Sequence, residues 1–417
     1  MSTTERTLEQ DVEGLIAGDV DAGRRQFEIY RRMRAEGPVF EAGGTTFITR
    51  YKYLRQAYRD PASFQVVVGT AVRHPGRFAG MSAEDQRKVD DMMAFEALSM
   101  ASIDGPEHDR IRRAAQRAFT PKKVREYTAL TERYAHELMN ELREQESPDW
   151  GRMAHALPLY VITDIMAVPR EDGEMLQGWV RTFVGSWKNA VPPNSALIAA
   201  AHEAMIEWRE YCSELASRYR RDSDRTDLVA ALMSAEEESR LSNEELVAQV
   251  FLILMGGQET TKNLIFHALL ALMEQRGEWE RLCADPSIVS SAVEELLRFD
   301  AGNFDMGRMT TRDVEFGGVT IPAGAPVSLV NASGNRDPDA FVEPDRLDLT
   351  RSPNNHLAFG HGSHFCLGAP LARLESRAAF AELARQAPDV ELAIAPADIE
   401  YAFGGRRIPL GLPVNLG

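Results

Sequence analysis

The chain has 417 residues, 44% hydrophobic and 26% charged, an ordinary globular composition that excludes disordered, collagen-like and low-complexity chains. Its 47 basic and 63 acidic side chains leave a net charge of −16, which argues against nucleic acid or an anionic membrane as a partner. Three cysteines, Cys212, Cys283 and Cys366, cannot build a disulfide framework in a chain this long. No apolar h-region follows Met1 and no run approaches 18 apolar residues, so the sequence reads as soluble and cytoplasmic, without signal peptide or transmembrane helix.

No repeat and no Ser/Gly/Pro-rich linker interrupts the chain, so 1–417 is expected to form a single domain, with 1–24 as a loosely ordered N-terminal segment. Helical periodicity dominates. It covers 24–36, 51–59 and 106–119, and restarts at Thr120-Pro121, an N-cap followed by proline at the first helical position. Val124, Tyr127, Leu130, Tyr134, Leu138 and Leu142 then recur at helical spacing. Further stretches cover 153–167, 171–186 and 197–221.

At Ser242, with Glu245 three residues on, a capping box opens a longer helix. It runs to about Gln275 without proline, roughly 50 Å at 1.5 Å per residue, and is apolar on most faces in its first half, so it should be buried. A further helix covers 276–285. Strand signals cluster at 313–331, with weaker ones near 46–50 and 400–415. The class expected is mainly α, a helical body with small antiparallel β-sheets.

Two short segments carry chemistry. In Phe359-Gly-His-Gly-Ser-His-Phe-Cys366-Leu-Gly, glycines allow a tight loop whose backbone approaches a flat object. Leu367, Leu371 and Leu374 then restore helical spacing, placing the sulfur at a helix N-terminus, where amides and the macrodipole stabilise a thiolate. A lone cysteine is more often a small buried core residue, the reading kept for Cys212 and Cys283. Midway along the long helix stands Gly256-Gly257-Gln258-Glu259-Thr260-Thr261. Two helix-interior glycines cost about 1 kcal/mol each relative to alanine, which close approach of the helix backbone to a ligand would offset.

Phe359, Gly360, Gly362, His364, Cys366 and Gly368 fill every fixed position of Phe-Gly-x-Gly-x-His-x-Cys-x-Gly, and the sequence thereby resembles the cytochrome P-450 haem-thiolate monooxygenases. Glu295-Leu-Leu-Arg298 matches the family's Glu-x-x-Arg signature. The resemblance implies the P-450 fold, with its long helix over haem b (iron protoporphyrin IX), and Cys366 as axial ligand of the iron. It implies cofactor contacts from His108, Arg112, Gly256, Arg308, Phe359, His364 and Gly368, and makes Arg346 the third member of the Glu295–Arg298 pair. Thr260 is implied to hydrogen-bond dioxygen and steer protons, and Glu259 to relay them from solvent.

The activity implied is insertion of one atom of O2 into a small organic molecule, a hydroxylation or related oxidation in secondary metabolism. Electrons would come from a separate ferredoxin with its reductase, or a flavodoxin-type donor, docking on a basic island of Arg110, Arg113, Arg117 and Arg373. A peroxide-driven peroxygenase is the alternative, although it would usually lack the Glu259-Thr260 pair. A haem sensor would need a second protein ligand that the Gly-Gly stretch does not offer. Polar Asn303 and Asp305 stand where the family commonly has apolar pocket residues, Gln258 adds an amide next to the implied oxygen-binding position, and together they predict a substrate bearing an amide, amine or hydroxyls. The competing reading is that Asn303 and Asp305 satisfy turn backbone.

Overall fold

The longest element of the computed structural model is the helix Asn243–Glu274, 32 residues without a break. Its capping box is formed in both directions: the Glu245 amide donates to Ser242 Oγ at 3.1 Å and the Ser242 amide to Glu245 Oε2 at 2.8 Å. The structure describes residues 6–66, 80–185, 194–219, 227–233, 241–302, 305–403 and 407–417. It divides into two compact units, Met1–Phe64 with Glu132–Leu157 and Thr260–Gly417, and Gln65–Thr131 with Pro158–Glu259. The division passes through the long helix between Glu259 and Thr260.

The first unit holds the strands: β1 (Val39–Ala42), β2 (Thr45–Ile48), β3 (Phe64–Gln65, at its edge), β4 (Met306–Thr310), β5 (Val314–Phe316), β6 (Val319–Ile321), β7 (Pro326–Leu329), β8 (Glu391–Leu392), β9 (Tyr401–Phe403), β10 (Arg407–Pro409) and β11 (Val414–Asn415). Five form a sheet in the order β1-β2-β7-β4-β3; β5–β6, β8–β11 and β9–β10 pair separately. The pairs β1–β2, β4–β7, β5–β6, β8–β11 and β9–β10 are antiparallel as expected, whereas β2 and β7 run parallel, with Phe47 opposite Ser328. These strands come from distant parts of the chain, so no hairpin dictates their direction.

The N-terminal segment departs from the expectation of loose order. Leu8–Ala17 and Val20–Arg24 are helices, the first closed by a Thr7/Gln10 capping box. Asp11, buried, takes Arg25 at 2.6 Å and Arg32 at 2.5 Å, and Val12 joins Ile29 and Met33 in a small core. The helix after Thr120 is also shorter than its periodicity suggests, ending at Glu126 before a second helix, Thr128–Arg143.

In the second unit, the Phe251 ring of the long helix meets Phe95, Phe183 and Trp208 edge-on at 5.0–5.6 Å. Phe95 lies on the helix Ala83–Glu96, which is too charged to show a clear period in sequence. Gln249 pins the loop after it, donating to the Leu98 carbonyl at 2.7 Å and accepting from the Met100 amide at 3.1 Å.

The first unit is organised by a charge pair with no exposed side-chain surface. Arg298 donates twice to Glu295, at 2.8 Å each, and its remaining hydrogens reach the carbonyls of Asn335, Pro344 and Arg346. The third member is not Arg346, whose side chain is exposed and paired with Glu343. It is Arg351, whose Nε donates to both Glu295 oxygens at 3.0 and 3.1 Å. Arg351 lies at the end of the meander, and the chain between it and Arg346 turns so that only the later arginine faces inward.

Removing one partner of a buried, hydrogen-bonded pair costs about 3–5 kcal/mol, whereas an exposed substitution stays within about 0.5 kcal/mol. Arg351→Ala should therefore lower the urea midpoint sharply and Arg346→Ala leave it in place. Equal effects would return the role to Arg346.

Candidate functional site

The cysteine loop is shaped by two left-handed glycines, Gly360 (φ +70°) and Gly362 (φ +78°). A Cβ on Gly362 would lie 2.5 Å from the Tyr58 carbonyl oxygen, so the loop rests directly on the end of the helix Tyr51–Tyr58. A 3-10 turn, Gly362–His364, follows, and the Cys366 amide donates back to the Phe359 carbonyl at 3.0 Å. Gly368 is the N-cap of the helix Ala369–Gln386, which puts Cys366 just before a helix N-terminus, as the spacing predicts. Gly368 has no side chain to cover the sulfur; a Cβ there would stand 4.0 Å from Cys366 Sγ.

The other cysteines differ. Cys212 is buried and Cys283 half-buried, and burial pushes both thiols up, away from the thiolate. Cys366 is partly exposed. Phe359 packs on Leu264, Val293 and Leu297, with the Arg373 guanidinium 4.5 Å from its ring centre and the Phe365 ring edge-on at 6.2 Å. His361, half-buried, is held below the ordinary histidine value by desolvation first and then by the cations Arg55 and Arg59. Arg308 sits in β4 opposite Val327, buried, 5.7 Å from the Tyr58 ring, and donates to the Gly307 carbonyl at 2.7 Å.

The first unit thus gathers Arg308, Phe359, His364, Cys366, Gly368 and Thr260. The second holds His108, Arg112, Gly256, Gln258 and Glu259. His108 and Arg112 share the helix Gly105–Gln116 at i, i+4; His108 is buried, its Nδ1 3.0 Å from Asp109. The helix stays regular through Gly256-Gly257, and the two glycines differ. A Cβ on Gly256 would meet no atom of the described residues within 4 Å, while one on Gly257 would press Ile162 at 3.2 Å.

Gln258 is buried. Glu259 accepts from Gln177 Nε2 at 3.3 Å, and sequence reasoning missed that partner. Its signal was an amide one residue past Leu176 on the buried face of Gly173–Phe183, a costly place for a polar group with nothing to hold. Asp305 accepts the Ser328 hydroxyl of β7, a side-chain partner on the neighbouring strand and not turn backbone. Asn303 lies outside the described residues.

Among the described residues, no group of three or more His, Cys, Asp or Glu side chains could hold a bare metal ion. One thiol in a glycine-lined loop suits a metal that brings its other donors with it, as an iron porphyrin does. The unfilled space beside the Gly256 backbone is consistent with close approach of such a flat group.

A family model described as "Cytochrome P450" matches residues 175–386. The polyketide biosynthesis cytochrome P450 PksS of Bacillus subtilis is 34% identical over 90% of this chain and 91% of its own. The vitamin D(3) 25-hydroxylase of Pseudonocardia autotrophica is 38% identical over 89% of each. Among solved structures, P450BioI in complex with a hexadec-9Z-enoic acid-ligated acyl carrier protein superimposes with a TM-score of 0.84 at 28% identity, covering 95% of this chain and 100% of that one. Among the described residues no helix is long and apolar enough to cross a membrane.

Behind the cysteine loop, in the same helix, Glu375 is buried without a hydrogen-bond partner on either oxygen. Burial holds its carboxyl well above the ordinary value of 4.5; the nearby Thr261 hydroxyl offsets part of that shift without hydrogen-bonding geometry. The folded chain therefore keeps a proton that the unfolded chain releases above pH 4.5, and the stability it carries is lost as pH rises through the folded value. The slope is at most about 1.4 kcal/mol per pH unit. Glu375→Gln should remove this slope and raise stability at pH 7, read from urea midpoints between pH 5 and 8. An unchanged slope would mean that Glu375 ionises within the folded chain.

Proposed function

The chain belongs to the cytochrome P450 family and is a haem-binding monooxygenase; from that premise we propose that it oxidises a natural-product intermediate with electrons from a separate ferredoxin-type donor. The balance of the reaction is R–H + O2 + two electrons + two protons giving R–OH + H2O. The observation that carries the reading is Cys366, a partly exposed thiol in a glycine loop at a helix N-terminus. Haem, proposed to be haem b, would be held through the Cys366 sulfur and would supply the O2-activating iron, to which a thiolate donates electron density.

The remaining steps belong to this chain's side chains. The amides at the start of Ala369–Gln386 hold Cys366 Sγ as an anion. His108, Arg112, Arg308 and His364 are the proposed donors to the propionates, charge-assisted contacts that orient the ring. Thr260 offers a hydroxyl that both donates and accepts. Glu259 is the proposed proton carrier, its carboxylate fixed by the Gln177 amide, so that the proton passes from solvent to Glu259 and on to Thr260 Oγ1.

Two relatives are named for polyketide biosynthesis and for vitamin D3, and a third, 37% identical, is a nocardicin C N-oxygenase. Those names support a substrate with an extended carbon skeleton from secondary metabolism. With Asp305 turned to Ser328, Gln258 is the described residue on which polar substrate recognition rests.

Cys366→Ser should abolish the thiolate-type spectrum of the reduced carbon monoxide complex together with turnover, while Cys212→Ser and Cys283→Ser retain both. The opposite pattern would refute the ligand assignment. In Thr260→Ala, haem content and the substrate-induced Soret shift should stay near normal while product formed per reduced cofactor consumed falls several-fold. An undiminished ratio would remove Thr260 from proton delivery.

A further inference from the structure

Glu294 and Glu295 are neighbours on the helix Val289–Asp300, yet they hold different partners. Glu295 belongs to the buried pair with Arg298, whereas Glu294 meets Arg373 on the helix that follows the cysteine loop. Arg373 donates through Nε to Oε1 at 2.6 Å and through Nη2 to Oε2 at 2.8 Å, a bidentate contact that orients both side chains. Its charge is neutralised there, so it adds little to the basic island expected from the sequence. The same guanidinium stands 4.5 Å from the ring centre of Phe359.

His356 joins this pair to the loop. Its side chain is only 3% exposed, and its ring packs at 51° to that of Phe359, with centres 5.9 Å apart. The Ala358 amide lies 3.2 Å from Nδ1. A backbone N–H can only donate, so Nδ1 accepts and the ring hydrogen sits on Nε2. From there it donates to Glu294 Oε2 at 3.2 Å. Against burial, which raises it, hydrogen bonds from Arg373 and then His356 hold the Glu294 carboxyl down at about 2.

The imidazole is thus held at two edges. One contact would let the ring turn about it; two fix its plane, and with it the Phe359 ring packed against it. The Phe359 carbonyl accepts the Cys366 amide at 3.0 Å, so the arrangement reaches the sulfur's own residue in one further step. Groups behind a metal ligand that orient it typically cost about 10–100-fold in metal affinity or activity when removed.

Resting on the reading of Cys366 as the iron ligand, we infer that His356 is a positioning residue for the cysteine loop: it bridges the Ala358 amide and the Glu294–Arg373 pair, and so fixes Phe359 and the setting of the Cys366 sulfur. The bridge also has an electrical side. A hydrogen donated to Glu294 offsets part of that carboxylate's charge beside the loop, and its loss should disfavour adding an electron to the iron.

The test uses the haem-loaded protein, reduced with dithionite under carbon monoxide, and follows the rate at which the thiolate-type band is lost. His356→Ala removes both contacts. His356→Asn keeps an acceptor for the amide two residues on, a turn that asparagine forms readily, while His356→Gln keeps a donor within reach of Glu294. The band should be lost about tenfold faster or more in His356→Ala, and faster than in the wild type in both single-contact variants. The midpoint potential of the iron should fall in His356→Ala and His356→Asn and stay near the wild-type value in His356→Gln, a pattern that loosened packing alone would not produce. Should His356→Ala fail to take up haem, the other two variants decide. The inference is overturned if His356→Ala loses the band at the wild-type rate, if either single-contact variant does so, or if the potential does not follow the contact with Glu294. A wild-type protein without the thiolate-type spectrum would instead refute the ligand reading itself.

Discussion

A carboxylate and a guanidinium with no exposed surface must replace every contact that water would have given them, or the desolvation cost unfolds the region. Glu295 and Arg298 impose that demand on the first unit. Glu295 takes Arg298, Arg351, the Asp348 amide and the Asn354 side chain. Arg298 takes the Asn335 carbonyl, and the Asn335 side chain accepts the Leu357 amide at 2.6 Å. The Leu357 carbonyl in turn accepts the Gly360 amide at 2.9 Å. The pair lies outside the cysteine loop, yet the first residue of its left-handed turn is reached in three hydrogen-bonded steps. A salt bridge of this kind adds little net stability; its effect here is to leave the loop's anchor a single arrangement in which all partners are met.

The features legible in the sequence were those that local chemistry decides. The long helix could be read because Ser242 and Glu245 cap it and no proline interrupts it, and the cysteine loop because glycine, cysteine and helix onset follow within ten residues. Pairings between distant segments were not legible. Nothing near Arg346 indicates that Arg351 would take its place, since the choice depends on how the meander turns against Glu295. Arg110 looks available until Glu245, far along the chain, is brought to it. The first helix was missed because its buried face is narrow and its anchor, Asp11, is an acid whose two arginine partners come later.

The same limit applies to Gln177 and Glu259. A carboxylate expected to move protons needs one orientation more than it needs a particular acidity, and a buried amide supplies that without adding charge. Glu259 lies in the same compact unit as its amide partner, while Thr260 begins the other.

Adjacent glycines on the long helix look interchangeable on paper, and their surroundings separate them. The backbone at 257 is in contact with protein, since Ile162 already occupies the place of a side chain there. At 256 no atom of the described residues lies within 4 Å of that place. Mutational drift should therefore treat the two differently. Position 257 answers to the packing of the Trp150–Ile165 helix, and an enlarged residue there can be accommodated by a trimmed partner at 162. A side chain at position 256 would instead enter open space among the described residues, so substitution there answers to whatever non-protein group comes up against that stretch of helix.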